Sequence, residues 1–323
     1  MSSQHGDFST DHFPALARHP LAFFRPKPSP ARLVRIGGSG DGAYLVPSDF
    51  EGLTACFSPG VANRKSFEAD LAHRLGLRSH LLDFSSDVES FETPLQEGLQ
   101  FFEKKWLAPA DGPDSLSMET WVNESEPGSS ELILQMDIEG AEYSILATAP
   151  SSVLRRFRIL VIEFHDFPKR LTEFERASEF LTVVEKLNED FVVVHARANN
   201  CCPTAPLPLD GTQIPQVVEF TLLRRDRFEA LIYRRLHRVR VPHPKDISRN
   251  VARRPPLHLG GSWLEGPRPF AARAKIGFDW VSWFLQVHVR HWPFKTLRWL
   301  RVSSANVALN LRQRVTSKAG GKS

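Results

Sequence analysis

Three side chains of this sequence have the types and spacing for proton chemistry: Asp137, Glu139 and His165. The first two close the stretch ELILQMDIEG, and the third follows FRILVIEF. An imidazole titrates near neutrality, and a carboxylate beside it can accept or hold a proton, so the set suits removal of a proton from a hydroxyl. The plainer reading is that the two acids merely favour the positive end of the next helix; it accounts for one acid better than for two. A second group has the spacing of a nucleoside site. Ser58, Gly60 and Val61 follow an apolar run, and Asp83 lies 23 residues beyond Gly60. A small turn lets a ligand approach the backbone, and an acid at that separation suits the vicinal hydroxyls of a ribose. Asp137 is also a cofactor contact on this reading. Asp41, Tyr44 and Glu163 are side chains that could face a ligand, with Glu163 placed to hold His165. Asp137, Glu139 and His165 have the chemistry for a hard cation, but spacing alone does not favour a divalent metal and none is assigned.

These residues need elements to carry them. Leu132–Asp137 is an apolar run of strand length, and Gly140 turns it into a helical pattern that Pro150 interrupts near its middle, over 141–156. LTACFS, SHLLDFS, LQFFEKKWL (99–107), FRILVIE (157–163), FVVVHAR (191–197) and VVEFTLLRR (217–225) are further β-rich runs. Helices are expected at Phe67–Leu75, around 88–96 and 115–124, and at Glu173–Leu187 with Phe174, Ala177, Phe180, Leu181 and Val184 as its apolar stripe. Strands alternating with helices imply a parallel sheet, and the last two strands, with no helix between them, imply an antiparallel pair at its edge. The glycines of LVRIGGSGDGAYLVP do not open a helix, so they are no phosphate loop; a hairpin with a Gly-Asp-Gly turn fits.

With the elements in this order, MDIEGAEYSIL resembles the fourth-strand signature of the FkbM family of S-adenosylmethionine-dependent methyltransferases. RIGGSGDGAYLVP looks like the segment before that family's first strand, CFSPGVANRKSFE like its first cofactor loop, and VIEFHDF like its fifth strand. The resemblance covers about residues 32–225. It implies a Rossmann-like, seven-stranded, mostly parallel α/β sheet with S-adenosylmethionine as cofactor. It further implies methyl transfer to a hydroxyl of a sugar or other small natural-product-like acceptor. The first loop has one glycine where methyltransferases usually have two, which leaves open a degenerate scaffold that docks on a membrane or protein partner. A nucleotide-sugar or dinucleotide enzyme on the same sheet is disfavoured by the absence of G-x-G-x-x-G.

Composition divides the chain. Its net charge of +4 combines residues 1–230, with 22 basic and 34 acidic side chains, and residues 231–323, with 19 and 3. The expected organisation is an N-terminal arm or strap (1–31), the methyltransferase domain (32–230), a basic Pro/Arg-rich linker (231–265) and a basic, Trp-rich helical extension (266–323). In FDWVSWFLQVHVR, Asp279, Ser282, Gln286 and Arg290 form one polar stripe on an otherwise apolar helix. A second piece after Pro293 sets Phe294, Leu297 and Leu300 opposite Lys295, Arg298 and Arg301. Tryptophans with flanking cations suit an anionic membrane surface, and the same apolar face suits self-association or packing on the domain. The arginine-rich stretch has no nucleic-acid module signature, so no nucleic-acid partner is expected. Cys56, Cys201 and Cys202 make neither a disulfide framework nor a metal set. With no signal-peptide pattern, the expected place is the cytoplasm, peripheral to the inner membrane surface if the tail docks there.

Overall fold

The structure is a computed structural model and describes residues 19–231, 239–247, 249–264 and 270–288. The first part of the arm, the second tail piece, and Trp292 and Trp299 lie outside the described residues. Seven strands form the central sheet: β1 (Leu53–Pro59), β2 (Arg78–Leu82), β3 (Gln100–Glu103), β4 (Glu131–Met136), β5 (Phe157–Phe164), β6 (Phe191–Ala198) and β7 (Val218–Arg224). Their order across the sheet is β6-β7-β5-β4-β1-β2-β3. β7 runs antiparallel to both β5 and β6, and the remaining pairs are parallel. The middle strands are covered on both faces and read as continuous apolar runs for that reason; all eight residues of β5 are buried.

Side-chain alternation sends the two halves of each strand to different cores. Leu132, Leu134 and Met136 of β4 join the larger core with Trp121, Tyr143, Phe167 and Phe180. These come from α2 (Met118–Ser125), α3 (Glu142–Thr148), α5 (Phe167–Thr172) and α6 (Phe174–Asp190), with the short α4 (Ser151–Leu154) before β5 and α7 (Arg225–Leu231) after β7. Ile133 faces the other way, towards Phe67 and Leu71 of α1 (Ser66–Leu75) and the hairpin Leu33–Ile36/Tyr44–Pro47. Gly76 ends α1 in the left-handed conformation at φ 64°, which a glycine adopts without steric cost. The segment from His19 lies on the domain as a strap: Leu21 and Phe24 are fully buried, and the Lys27 amide donates to the Val193 carbonyl at 2.8 Å.

Several expected elements come out differently. Around 88–96 only one 3-10 turn forms, Val88–Ser90, because Pro94 and Gly98 deny the segment a helical continuation. The run 99–107 divides at Lys104–Lys105 into β3 and a two-residue strand, Trp106–Leu107, which pairs with Ser115–Leu116 outside the sheet. On α6 the buried side is Phe180, Val183, Val184 and Leu187, while Phe174 is 94% exposed and Leu181 is also exposed. The Pro/Arg-rich stretch expected as a linker packs on the domain. Trp263 is fully buried, with its ring 5.8 Å from that of Phe167 and 6.1 Å from that of Phe220. No helix among the described residues is long and apolar enough to cross a membrane.

Candidate functional site

The carboxyl ends of β1 and β4 lie side by side, and the helices that follow them pack on opposite faces. Such a switch point opens the crevice in which α/β sheets bind ligands. Asp41, Tyr44, Gly60, Val61, Arg64 and Asp137 are among its lining residues. Gly60 has φ +80°, and a Cβ there would sit 1.7 Å from the Asp137 carbonyl oxygen. Its missing side chain therefore lets the first loop close onto the end of β4, which brings Val61 and Asp137 to one wall.

Two expected cofactor contacts do other work. Ser58 is fully buried below the crevice, its hydroxyl held between Glu68 and Gln135; strand alternation turns it to the α1 face of the sheet, where these partners occupy it. Asp83, just past β2, accepts on one oxygen from the Ala62 amide at 2.8 Å and the Ser86 hydroxyl at 2.9 Å. Its other oxygen accepts from the Ser85 amide at 2.8 Å and hydroxyl at 2.7 Å. Burial alone would raise its pKa, but these bonds outweigh it and hold the carboxyl below its ordinary range. The acid that spacing assigned to a ribose clamps the crevice wall in this structure.

Tyr44 and Glu163 belong to a buried polar row. The Tyr44 hydroxyl donates to Glu163 at 2.8 Å and accepts from Gln135 at 3.2 Å, while Asn199 donates to the other Glu163 oxygen at 3.2 Å. Burial, then the charges of Glu219 and Asp137, push Glu163 well above its ordinary pKa. Glu219 is itself paired with Arg197, whose Nε donates to it at 2.8 Å.

His165 is held by Glu142, not by Glu163. Its Nδ1 lies 2.8 Å from Glu142 Oε1, and Glu142 is fully buried. The same oxygen accepts from the amides of Ile138 at 3.2 Å and Gly140 at 3.1 Å, so one carboxylate fixes both the β4 turn and the imidazole. The Tyr143 hydroxyl donates to the His165 carbonyl at 2.8 Å. The ring's Nε2 then faces Asp137 at 3.6 Å and Glu139 at 3.4 Å. Glu139 and Asp166, one on each converging turn, are left-handed at φ 56° and 51°, a conformation kept only where the surroundings enforce it. Asp41 reaches the crevice from the hairpin turn, its carboxylate accepting from Asn250 at 2.5 Å.

The charges are tightly linked. Burial is the largest cause of the rise of Asp137 to about 7; the His165 cation opposes it, and Glu139, Glu142 and Asp41 add to it. Burial would lower His165, but the hydrogen bond and charge of Glu142, with Asp137 and Glu139, outweigh that and hold it at about 9. Asp137 Oδ1 is buried without a hydrogen-bond partner. Asp137, Glu163 and His165 also each offer a ligand atom within 4.8 Å of the others, with Glu163 replacing the expected Glu139 in that set. Glu142, Gln135 and Glu68 went unnoticed in the sequence. Gln135 interrupts the apolar run LILQM, and Glu68 falls on the buried face of α1 with Phe67 and Leu71; a polar residue inside an apolar pattern was the available signal.

Residues 101–191 match the family model described as the methyltransferase FkbM domain. That match spans β3 to the start of β6, including the Asp137, Glu142 and His165 turns. No curated protein matches the chain. Among solved structures, an S-adenosylmethionine-dependent methyltransferase from Anabaena variabilis is 12% identical over 53% of this chain and 77% of its own, with a TM-score of 0.30. A variant of the 16S rRNA (adenine(1408)-N(1))-methyltransferase from Catenulisporales acidiphilia is 11% identical over 60% and 98%, with a TM-score of 0.27. The methyltransferase CalO6 is 15% identical over 55% and 61%, with a TM-score of 0.26.

Proposed function

We propose that this chain is an S-adenosylmethionine-dependent methyltransferase that methylates a hydroxyl of a sugar or another small natural-product-like acceptor, a reading supported by its match to the FkbM methyltransferase domain over residues 101–191. The observation that supports the reading is the Asp137–His165–Glu142 arrangement at the crevice edge. Asp137, poised at about 7, is the base that takes the hydroxyl proton, since a base works best with a pKa near the operating pH. His165, held up at about 9, enters as an imidazolium that orients the carboxylate. Glu139 is the exposed acid beside them and tunes both.

The cofactor's charge suits the crevice. A buried acid oxygen without a hydrogen-bond partner, on Asp137, has an environment for a cation. When bound, S-adenosylmethionine supplies a methyl group on a sulfonium. The backbone at Gly60 and Val61 and the carboxylates of Asp41 and Asp137 are the groups that would hold it. Asp83 keeps the Ala62 amide in place beneath them. What the chain itself contributes is alignment of the acceptor oxygen with the methyl group, a large share of the acceleration in a displacement, and a place for the proton.

Calorimetric titration with S-adenosylmethionine and with NAD separates the readings: binding of the first alone is expected, and binding of neither would favour a scaffold without activity. Asp137→Asn should lower turnover by about 10²-fold or more, far more than it lowers cofactor affinity. Turnover should rise with pH through about 7 as Asp137 loses its proton; an inflection near 9 instead would make His165 the base. The two titrate as a linked pair, so the inflection belongs to the pair. Full activity in a chelator argues for this base; activity lost to the chelator and restored by magnesium would place a cation on Asp137, Glu163 and His165.

A further inference from the structure

A cavity of about 270 Å³ lies away from the crevice, beside the edge strand β6, and side chains from three separate segments meet in it: Arg32, His195, Arg240, His243 and Lys245 among them. No Asp or Glu lines it. Asp246, which follows Lys245, lies 2.9 Å from His195 Nε2 and accepts from the His243 amide at 2.6 Å.

The cations make no ion pair among the described residues, unlike several buried arginines of the body. Arg158, Arg197, Arg224 and Arg227 each pair with a carboxylate. By contrast, the ion pairs among the described residues include none from Arg32, Arg240 or Lys245, or from the neighbouring Arg35. Lys245 instead donates to the Leu33 carbonyl at 3.3 Å. The crowding is felt by the groups themselves. Burial, then the charges of Arg32, Arg35 and Arg74, lowers Lys245. Burial and the neighbouring His195, Arg240 and Lys245, against the opposing pull of Asp246, bring His243 down to about 4. Like charges gathered around a concavity cost free energy until an anion enters, and a low-dielectric wall focuses their field on its centre.

We propose that this cavity binds the phosphate or pyrophosphate group of a ligand, with Arg32, Arg240 and Lys245 as its charged contacts and His243 as a neutral donor. The geometry limits the ligand. The hollow has room for one anionic head, whereas a nucleic-acid backbone needs an extended track of phosphate contacts. Through His195 and Lys245 the cavity adjoins a space beside Tyr44 and Glu219 of only about 10 Å³. That is the room of a single water, so the anion site is separate from the crevice and does not depend on the methyl-transfer reading.

The phosphate could come from a soluble phosphorylated compound or a lipid headgroup, and two arms distinguish them. Inorganic pyrophosphate is titrated calorimetrically into the full chain, and the same chain is sedimented with vesicles of phosphatidylcholine and phosphatidic acid at four to one. Three proteins are compared: the parent, the double variant Arg240→Ala/Lys245→Ala, and Lys104→Ala, a surface control whose partner is Asp87. Arg32→Ala is a second, independent probe, and thermal melts verify that each variant is folded. Pyrophosphate binding that falls at least tenfold in the cavity variants and not in the control supports the site. Vesicle binding lost with it assigns a lipid source, and vesicle binding absent or unchanged assigns a soluble one. Equal losses in Lys104→Ala, or no binding in either arm, would overturn the proposal.

Discussion

Glu142→Gln removes a charge and almost nothing else. Oε1 of Glu142 accepts all three of its hydrogen bonds, from His165 and from the amides of Ile138 and Gly140, while Oε2 has no partner. A glutamine can keep its oxygen in the occupied position and put its amide nitrogen where the partnerless oxygen was. The His165 bond then passes from charge-assisted, about 1.5–3 kcal/mol, to neutral, about 0.5–1.5 kcal/mol. A loss of roughly 1.4 kcal/mol should lower the His165 pKa from about 9 by about one pH unit. Ring-proton NMR titration measures this directly, with His165→Gln identifying the resonance among the twelve histidines. Linkage adds a check with a definite sign. The folded pKa of His165 lies above its ordinary 6.5, so its contribution to stability is full below 6.5 and is lost as pH rises through about 9. The rise corresponds to about 3 kcal/mol in the parent, and the part due to Glu142 should appear as a parent–variant difference in urea unfolding that is full near pH 6, falls between about 8 and 9 and is gone above that. A folded variant whose His165 titrates as in the parent would refute the assignment of Glu142 as the group that charges the imidazole.

Two other perturbations follow from the same geometry. Gly60→Ala must move the Asp137 carbonyl or the first loop, so it should destabilise the domain by about 2–4 kcal/mol in urea unfolding and abolish S-adenosylmethionine binding; a variant of parental stability would show that the loops do not meet as described. The pair Phe278→Ser/Trp280→Ser, on the exposed side of the C-terminal helix, should reduce sedimentation with anionic vesicles without lowering the melting temperature. A lowered melting temperature with unchanged sedimentation would make that face structural.

Much of the sheet could be read from the sequence because central strands are buried on both faces and leave uninterrupted apolar runs, as in FRILVIEF. The Gly-Asp-Gly hairpin was legible for a similar local reason, since its turn residues lie next to one another. What could not be read depends on partners distant in the chain. The Glu142–His165 bond joins residues 23 apart on two different turns. Glu163, closer in sequence to His165, was the natural choice; it points instead to Tyr44, 119 residues away on the hairpin. Asp83 shows the same limit from another side. Its position past the second strand is where a ribose acid belongs, yet Ser85, Ser86 and the Ala62 amide surround it first. A strand end can be read from pattern, whereas the choice among several acids near one imidazole is settled by packing.

The C-terminal helix α8 (Phe270–His288) is where pattern and packing diverge furthest. Its polar stripe turns inward: Asp279 is 1% exposed and sits 3.4 Å from His258 and 3.0 Å from Lys275. Trp283 donates to the Arg253 carbonyl at 3.2 Å on the same inward side. Phe278, Trp280, Val281 and Phe284 are left exposed. A buried ion pair adds little net stability, though removing one partner from it is costly, so Asp279 fixes how the helix sits more than how firmly. An apolar stripe directs a helix inward only when nothing stronger competes. Here the surface it meets is the Arg-rich stretch at 249–258, which has carbonyls and cations to satisfy and welcomes the acid. The helix therefore turns its aromatic side out, beside a segment of strong positive charge. An outward aromatic face flanked by cations is the arrangement that interfacial helices use on anionic lipid. The docking of α8 on the domain thus leaves Phe278, Trp280, Val281 and Phe284 on its outer side, which the amphipathic pattern alone could not decide.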